Sequence, residues 1–586
     1  MAGRRDRRAK KVEREQAKLP SFAARRYGVL GIFALAASVL VWRAVDQQIL
    51  EKDFLQSEGA DRYLDRVEMV AHRGLITDRR GAVLALSTPV DSVAANPRVL
   101  RADSAALAPL AEALQMPLAD LRQKLARYSQ RRFVYLKRRM PPAEAAYVME
   151  VARAYELGGV HLEREYRRYY PTGEVFSHVL GFTDYQDLGQ EGLERAYNTA
   201  LAGTPGSKLV LRDGRRRAVD DVENIQSPRD GKNLALSLDG RLQYIAYREL
   251  KAAVKRNRAI SGAAVMLDAR TGEVLAMVNQ PGFNPNGSRS SKGGRLRNRA
   301  LTDVFEPGST MKPFAVAAAL ELGVVGPGSL VDTAPGYFKV RGGRVKDHHN
   351  LGQIDLQTLL GKSSNVGAAK LAMAMDSEDY WRVLDGFGFG QSTATAFPAE
   401  AGGQLISWRN WAEIDQATLS FGYGVSVTAL QLARAYAVLA NDGLSVPVSL
   451  LKVAQPPEAQ RVISERTAVD VRHMLESVVL DGGTAPQAAV PGYRVAGKTG
   501  TVKKLGANGY SDDRYVAVFA GMAPLSDPRL VMVVMVDEPR GKHYYGGSVA
   551  GPVFAKVMGE ALRLMNIKPD ALTSPQARLA EAGGLQ

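Results

Sequence analysis

The sequence predicts an α+β protein carried on a single N-terminal transmembrane helix. Three observations lead to this. Tyr27–Trp42 is an uncharged apolar run. Short strand and helix patterns separated by turn residues fill the chain from Asp46 to about residue 237. Beyond Leu238, strand patterns stand at both ends of a segment whose middle is helical, which predicts one antiparallel sheet flanked by helices. At 586 residues the chain exceeds one ordinary core, so two or more domains are expected. A hydrophobic content of 46% with 24% charged residues belongs to a folded chain. Cysteine is absent, which excludes disulfides, a thiol nucleophile and cysteine-ligated zinc or iron–sulfur.

The first element is the span. Extended past a snorkelling Arg43 to Val45, it reaches 19 residues, close to the ~20 that cross a bilayer. Tyr27 and Trp42 stand where interfacial aromatics belong. Ten Lys/Arg and three acids precede it, so residues 1–26 are expected in the cytoplasm and everything after Val45 outside. No small-x-small cleavage site follows the run, which favours a retained anchor over a signal peptide. The tail supplies +7 of the net +16, a charge suited to anionic lipid. The exported basic residues are scattered among acids and carry no binding motif, so no nucleic acid is expected. The local run Arg289–Arg299 reads as a solvated loop.

From Asp46 to about Met69, Ile49, Leu50, Phe54 and Leu55 among charges predict a helix leaving the membrane. Arg73–Ala85 reads as turn and strand; Arg168–Glu174 and Gly189–Glu194 read as turn chemistry with a packing role. Leu242, Ile245, Ala246, Leu250 and Ala253 line one face of a helix. A hairpin, Ala263–Leu267 and Glu273–Val278, follows. Val427–Asn441 is an amphipathic helix stopped by Gly443 and is expected in the domain core. Tyr515–Ala520 and Leu530–Val536 are strands joined by the Pro524–Pro528 turn, and the last helix spans Val553–Met565. Met522, Met532 and Met535 are core residues. His348-His349 is the only histidine pair; adjacent side chains point apart, so no metal site is expected.

The chemistry concentrates in Phe305-Glu306-Pro307-Gly308-Ser309-Thr310-Met311-Lys312. The Pro-Gly turn and the apolar run Pro313–Leu320 put Ser309 at a helix N-terminus, with Lys312 one turn later on the same face. A hydroxyl needs a base to become a nucleophile, and a buried lysine can serve once its pKa is lowered. The helix N-terminus favours negative charge growing beside it. Ser-x-x-Lys alone is weak: an isolated match is better read as a capping serine and a surface lysine. Ser363-Ser364-Asn365 lies 54 residues on, and Lys498-Thr499-Gly500-Thr501 a further 135. That order and spacing resemble the serine acyltransferases of the penicillin-binding protein and β-lactamase superfamily.

The resemblance is close to class B penicillin-binding proteins and covers Tyr27 to Met565. Lys362–Gly367 and Phe421-Gly422-Tyr423-Gly424 resemble the cell-division branch; the elongation branch usually has aspartate where Asn365 stands. No glycosyltransferase signature is present: Glu51–Phe54 is only a superficial echo. The resemblance implies a cytoplasmic tail (1–26), an anchor (27–45), an elongated mixed pedestal of the dimerisation type (46–237), a transpeptidase domain (238–566) and a C-terminal tail (567–586). It implies a monofunctional septal D,D-transpeptidase, acting on D-alanyl-D-alanine stem peptides and acylated by β-lactams, with no cofactor. It also implies inner-membrane placement and division partners including a septal glycan polymerase. The alternatives are an elongation-type transpeptidase, a carboxypeptidase or a β-lactam-binding hydrolase.

The same resemblance implies roles by residue. Ser309 is the nucleophile and Lys312 its base; Ser363 relays the proton to the leaving amine and Asn365 holds the substrate amide. Lys498, on an edge strand facing Ser363, adds positive potential. Thr499 and Thr501 bind the terminal carboxylate, the N–H groups of Ser309 and Thr501 form an oxyanion hole, and Gly500 keeps the substrate's path along the strand clear.

Overall fold

The computed structural model describes residues 22–54, 64–212, 218–287, 294–506 and 509–571. Most of the basic tail, part of the Asp46–Met69 segment, the start of the Arg289–Arg299 run and most of the C-terminal tail lie outside them. The chain divides into two compact units.

The first unit combines the chain up to Ala71 with Thr204–Arg229. Its helix Ala23–Val45 is exposed along its length and continues in a π-turn, Asp46–Leu50. Ala23–Leu50 is long and apolar enough to cross a membrane. The helix predicted up to Met69 is not what forms at its far end. Leu64–Met69 is a strand, antiparallel to Gly206–Arg212, which in turn pairs with Ala218–Gln226. Its sequence has no clean helical or alternating period. A partner strand with a six-residue register, Leu64↔Leu211 to Met69↔Gly206, therefore decides its state.

The second unit holds His72–Gly203 and everything after Asp230. In its first part, Val83–Ala95 lies between Val134–Met140 and Val160–Tyr169, antiparallel to both. Helices Leu107–Ala113, Leu118–Arg127 and Pro142–Ala154 close a core of Val93, Leu110, Leu121, Leu136 and Val148. The motifs read as packing devices meet here. Buried Glu194 accepts from Arg73 Nε at 2.8 Å and from Arg168 Nε at 2.6 Å. One carboxylate thus ties together three segments distant in sequence.

The larger part is a five-stranded antiparallel sheet: β1 Ser261–Asp268, β2 Val274–Gln280, β3 Ala496–Gly506, β4 Gly509–Ala523 and β5 Leu530–Asp537, in spatial order β2-β1-β5-β4-β3. All of β1 and β2 is buried, as expected of strands covered on both faces. Helix α1, Gly240–Arg256, is capped by Asp239 and buries Leu242, Ile245, Ala246, Leu250 and Ala253. The last helix, Gly551–Leu564, and the three methionines are buried as read from the sequence. Ala429–Ala440 starts with a Thr428/Gln431 capping box and buries all but Arg434, so it is the core helix expected from the sequence. The basic run also needs correction. Arg299 is buried in the short helix Arg299–Thr302 and, like Arg297, pairs with Asp303.

Candidate active site

Ser309 lies in a 3₁₀ turn, Gly308–Met311, that leads directly into helix α2, Lys312–Glu321. Gly308 has φ +56, and a Cβ there would stand 2.4 Å from Val502 on β3. A residue without a side chain is therefore required for the Ser309 turn to sit against the edge strand. The second group arrives at a helix–helix junction. Helix α3, Leu356–Lys362, ends at Ser363, a left-handed residue with φ +61, and α4, Asn365–Met373, begins after the Ser364 cap. The third group is on β3, an edge strand of the sheet.

These three elements converge on Lys312. Its Nζ is 2.9 Å from Ser309 Oγ, 2.9 Å from Ser363 Oγ, 2.6 Å from the Ser363 carbonyl and 2.7 Å from Asn365 Oδ1. Asn365 Nδ2 donates to the Lys346 carbonyl at 3.1 Å, which fixes Oδ1 toward the lysine. A carbonyl and an amide oxygen only accept, so they take two N–H bonds of Lys312. A neutral amine then has its lone pair left for a serine hydroxyl. The electrostatics favour that form. Burial, and then the neighbouring Lys498 charge, hold Lys312 well below its ordinary pKa, against a weaker opposite pull from Asp347.

Lys498 is fully buried, donates to Ser363 Oγ at 3.0 Å, and is brought down to about 7 by burial. Thr499 Oγ1 meets Thr484 Oγ1 at 3.1 Å, and Thr501 Oγ1 accepts from Gly546 N–H at 3.0 Å. Gly500 carries a packing constraint besides the substrate role read in the sequence. A Cβ there would stand 2.8 Å from the Pro307 carbonyl and 3.2 Å from Thr310, so its bareness lets β3 approach the Ser309 turn.

The model of the penicillin binding protein transpeptidase domain matches residues 262–559, and that of the penicillin-binding protein dimerisation domain matches 68–236. The chain belongs to the penicillin-binding protein transpeptidase family. It is 42% identical over 561 residues to the peptidoglycan D,D-transpeptidase FtsI of Escherichia coli K12, covering 94% of each. It is 40% identical over 560 residues to the probable peptidoglycan D,D-transpeptidase PenA of Neisseria meningitidis, covering 95% of each. Among solved structures, the transpeptidase domain of Burkholderia pseudomallei penicillin-binding protein 3 is 48% identical, with TM-score 0.54, covering 57% of this chain and 98% of that one. Penicillin-binding protein 3 of Mycobacterium tuberculosis, complexed with aztreonam, is 29% identical, with TM-score 0.66, covering 86% and 98%.

Sequence reasoning missed two features of this penicillin-binding protein's site. Asp347 accepts from Ser364 Oγ and Asn365 N–H, each at 2.5 Å, and from Val366 N–H at 3.1 Å, pinning the start of α4. It directly precedes the His348-His349 pair in sequence. Tyr515, Tyr544 and Tyr545 stack at 4.5 and 4.4 Å, and Tyr545 directly precedes the short helix whose Gly546 meets Thr501. The Tyr-Tyr-Gly-Gly run was the available signal for the second feature. For Asp347, nothing short of the fold could have given one.

Proposed function

We propose that the protein is a membrane-anchored, monofunctional serine D,D-transpeptidase that cross-links peptidoglycan stem peptides at the division septum. The observation that carries this is the position of Lys312 Nζ, 2.9 Å from Ser309 Oγ, with both of its neutral-form hydrogens committed to acceptor-only oxygens. Ser309 Oγ attacks the carbonyl carbon between the two terminal D-alanines while Lys312 takes its proton. The tetrahedral oxyanion is held by the N–H groups of Ser309 and Thr501. The C–N bond then breaks. The proton passes through Ser363 to the departing amine, and D-alanine leaves an ester on Ser309.

Lys498, Thr499 and Thr501 receive the terminal carboxylate, and Asn365 the substrate amide. The amino group of a second stem peptide attacks the ester, loses its proton to Lys312 and forms the cross-link, freeing Ser309. β-Lactams enter by the same first step and stop at the ester. The septal assignment rests on the FtsI relative and on Asn365. With it go an inner-membrane location, a cytoplasmic N-terminus, enrichment at the septum, and division partners including a glycan polymerase.

The test is labelling by fluorescent penicillin with peptide mapping. Label on Ser309, and none on a folded Ser309→Ala variant, is the expected result. Label persisting on that variant would remove the nucleophile from the proposal. Filamentous cells on depletion support the septal role; rounded, wide cells would refute it.

A further inference from the structure

Outside the catalytic centre, Arg138, Arg139, Arg167 and Arg168 line one cavity of about 530 Å³, bounded opposite by Tyr185 and the Pro285–Gly287 turn. Two of the four already hold a carboxylate: Arg138 pairs with Glu165 at 2.5 Å, and Arg168 with Glu194 at 2.6 Å. The other two reach only carbonyl oxygens. Arg139 donates to Asp184 O at 3.2 Å, and Arg167 to Asn286 O at 2.9 Å. Asp184 also lines the cavity, but its carboxylate accepts from the backbone of Gln186 and Leu188 and from the Gln190 amide.

Among the described residues, two guanidinium nitrogens of these four arginines are buried without a partner, Nε of Arg139 and Nη2 of Arg168, whose side chain is 1% exposed. A buried charged donor left unpaired is unfavourable unless something fills it. Arg139 is moreover held at φ +57 within its strand, the left-handed region that a non-glycine residue enters under strain. At the rim, Tyr185 is 67% exposed, with the guanidinium groups of Arg138 and Arg139 at 5.4 and 4.9 Å from its ring centroid.

We propose that this cavity is a carboxylate-binding site that receives an acidic peptide segment of a partner protein. The ligand class follows from the walls. They are arginine without lysine, and planar guanidinium forks suit carboxylates; Arg138 and Arg168 already hold one each, Glu165 and Glu194. The volume is that of a pocket for a ligand of several residues rather than for one small ion. The rim of exposed tyrosine and arginine has the composition that dominates protein–protein hot spots. None of these residues takes part in the catalytic contacts, so the site stands or falls independently of the reaction.

The experiment measures anisotropy of a fluorescein-labelled tetraglutamate peptide against the full chain in detergent at fixed low salt, with inorganic pyrophosphate as a competitor. Saturable binding is expected, weakened about tenfold or more in the Arg139→Gln/Arg167→Gln double variant. Tyr185→Glu, at an exposed rim position, should weaken it similarly with an unaltered melting temperature, and it decides the matter if the double variant does not fold. Binding that is not saturable, or equally tight in folded variants, overturns the site. Displacement by pyrophosphate at lower concentration than by unlabelled tetraglutamate makes it a phosphate site and overturns the peptide assignment.

Discussion

Asp347→Asn isolates the support of the Ser363–Asn365 junction from the reacting groups themselves. In the native protein one half-buried carboxylate accepts three hydrogen bonds, from Ser364 Oγ, Asn365 N–H and Val366 N–H. An asparagine keeps an oxygen for the two backbone donors, but as neutral bonds. The Ser364 hydroxyl then faces an amide nitrogen and must turn from donor to acceptor. Bonds to a charged acceptor contribute ~1.5–3 kcal/mol and neutral ones ~0.5–1.5, so the local loss is about 2–3 kcal/mol.

The loosened residues are those that hold Lys312, through the Ser363 carbonyl and Asn365 Oδ1. If that free energy is needed to keep the lysine in place, the acylation rate falls about 30- to 160-fold at 1.36 kcal/mol per decade. The assay is the second-order rate of fluorescent-penicillin labelling of the full chain in detergent, beside its melting temperature. A rate within twofold of wild type in a folded variant would refute the reasoning.

Other expected outcomes follow from the same contacts. The second-order acylation rate should rise with pH as Lys312 loses its proton, and fall above about 7 as Lys498 loses its charge. Arginine stays protonated, so Lys498→Arg should carry the falling limb to alkaline pH; an unmoved limb assigns it to another group. Gly500→Ala drives a methyl to 2.8 Å from the Pro307 carbonyl, and should destabilise by about 1–3 kcal/mol and slow acylation together; native labelling would mean the turn yields. Glu194→Gln leaves the Arg73 and Arg168 cations buried without their carboxylate, so a loss of about 3–5 kcal/mol is expected in denaturant titration, and a loss below 1 kcal/mol would remove the buried link from the stability argument.

What the sequence made legible was local. The Pro-Gly break before Ser309, the hairpin of two apolar runs around a turn in Ala263–Val278 and the face of Leu242–Ala253 each carry a period or a turn within a few residues. The structure realises them with only small shifts of boundary. Lys498 on an edge strand facing Ser363 was legible through family resemblance, since 135 residues separate the two. Failures came where a distant partner decides. Leu64–Met69 is a strand because Gly206–Arg212 is there to pair with it. The close approach of Gly500 to Pro307 and Thr310 was likewise hidden until the fold brought them together. Arg299 reads as one of many loop cations until Asp303 and burial single it out. A charge run states composition; only packing states which charge is inside.

The order of strands in the central sheet has a consequence for the chain while it is being made. β1 is buried along its whole length and is bonded on one side to β2, which follows almost at once, and on the other to β5. Ser261 and its neighbour Asp537 are 276 residues apart. At synthesis rates of 5–20 residues per second, the free edge of β1 waits roughly 14–55 s for its partner. Through that interval an apolar strand edge stands open, the geometry that templates pairing with other chains. The nascent molecule is therefore most exposed to misassociation before its last hundred residues emerge, and the sheet that carries the edge strand β3 is completed only when β5 slides in between.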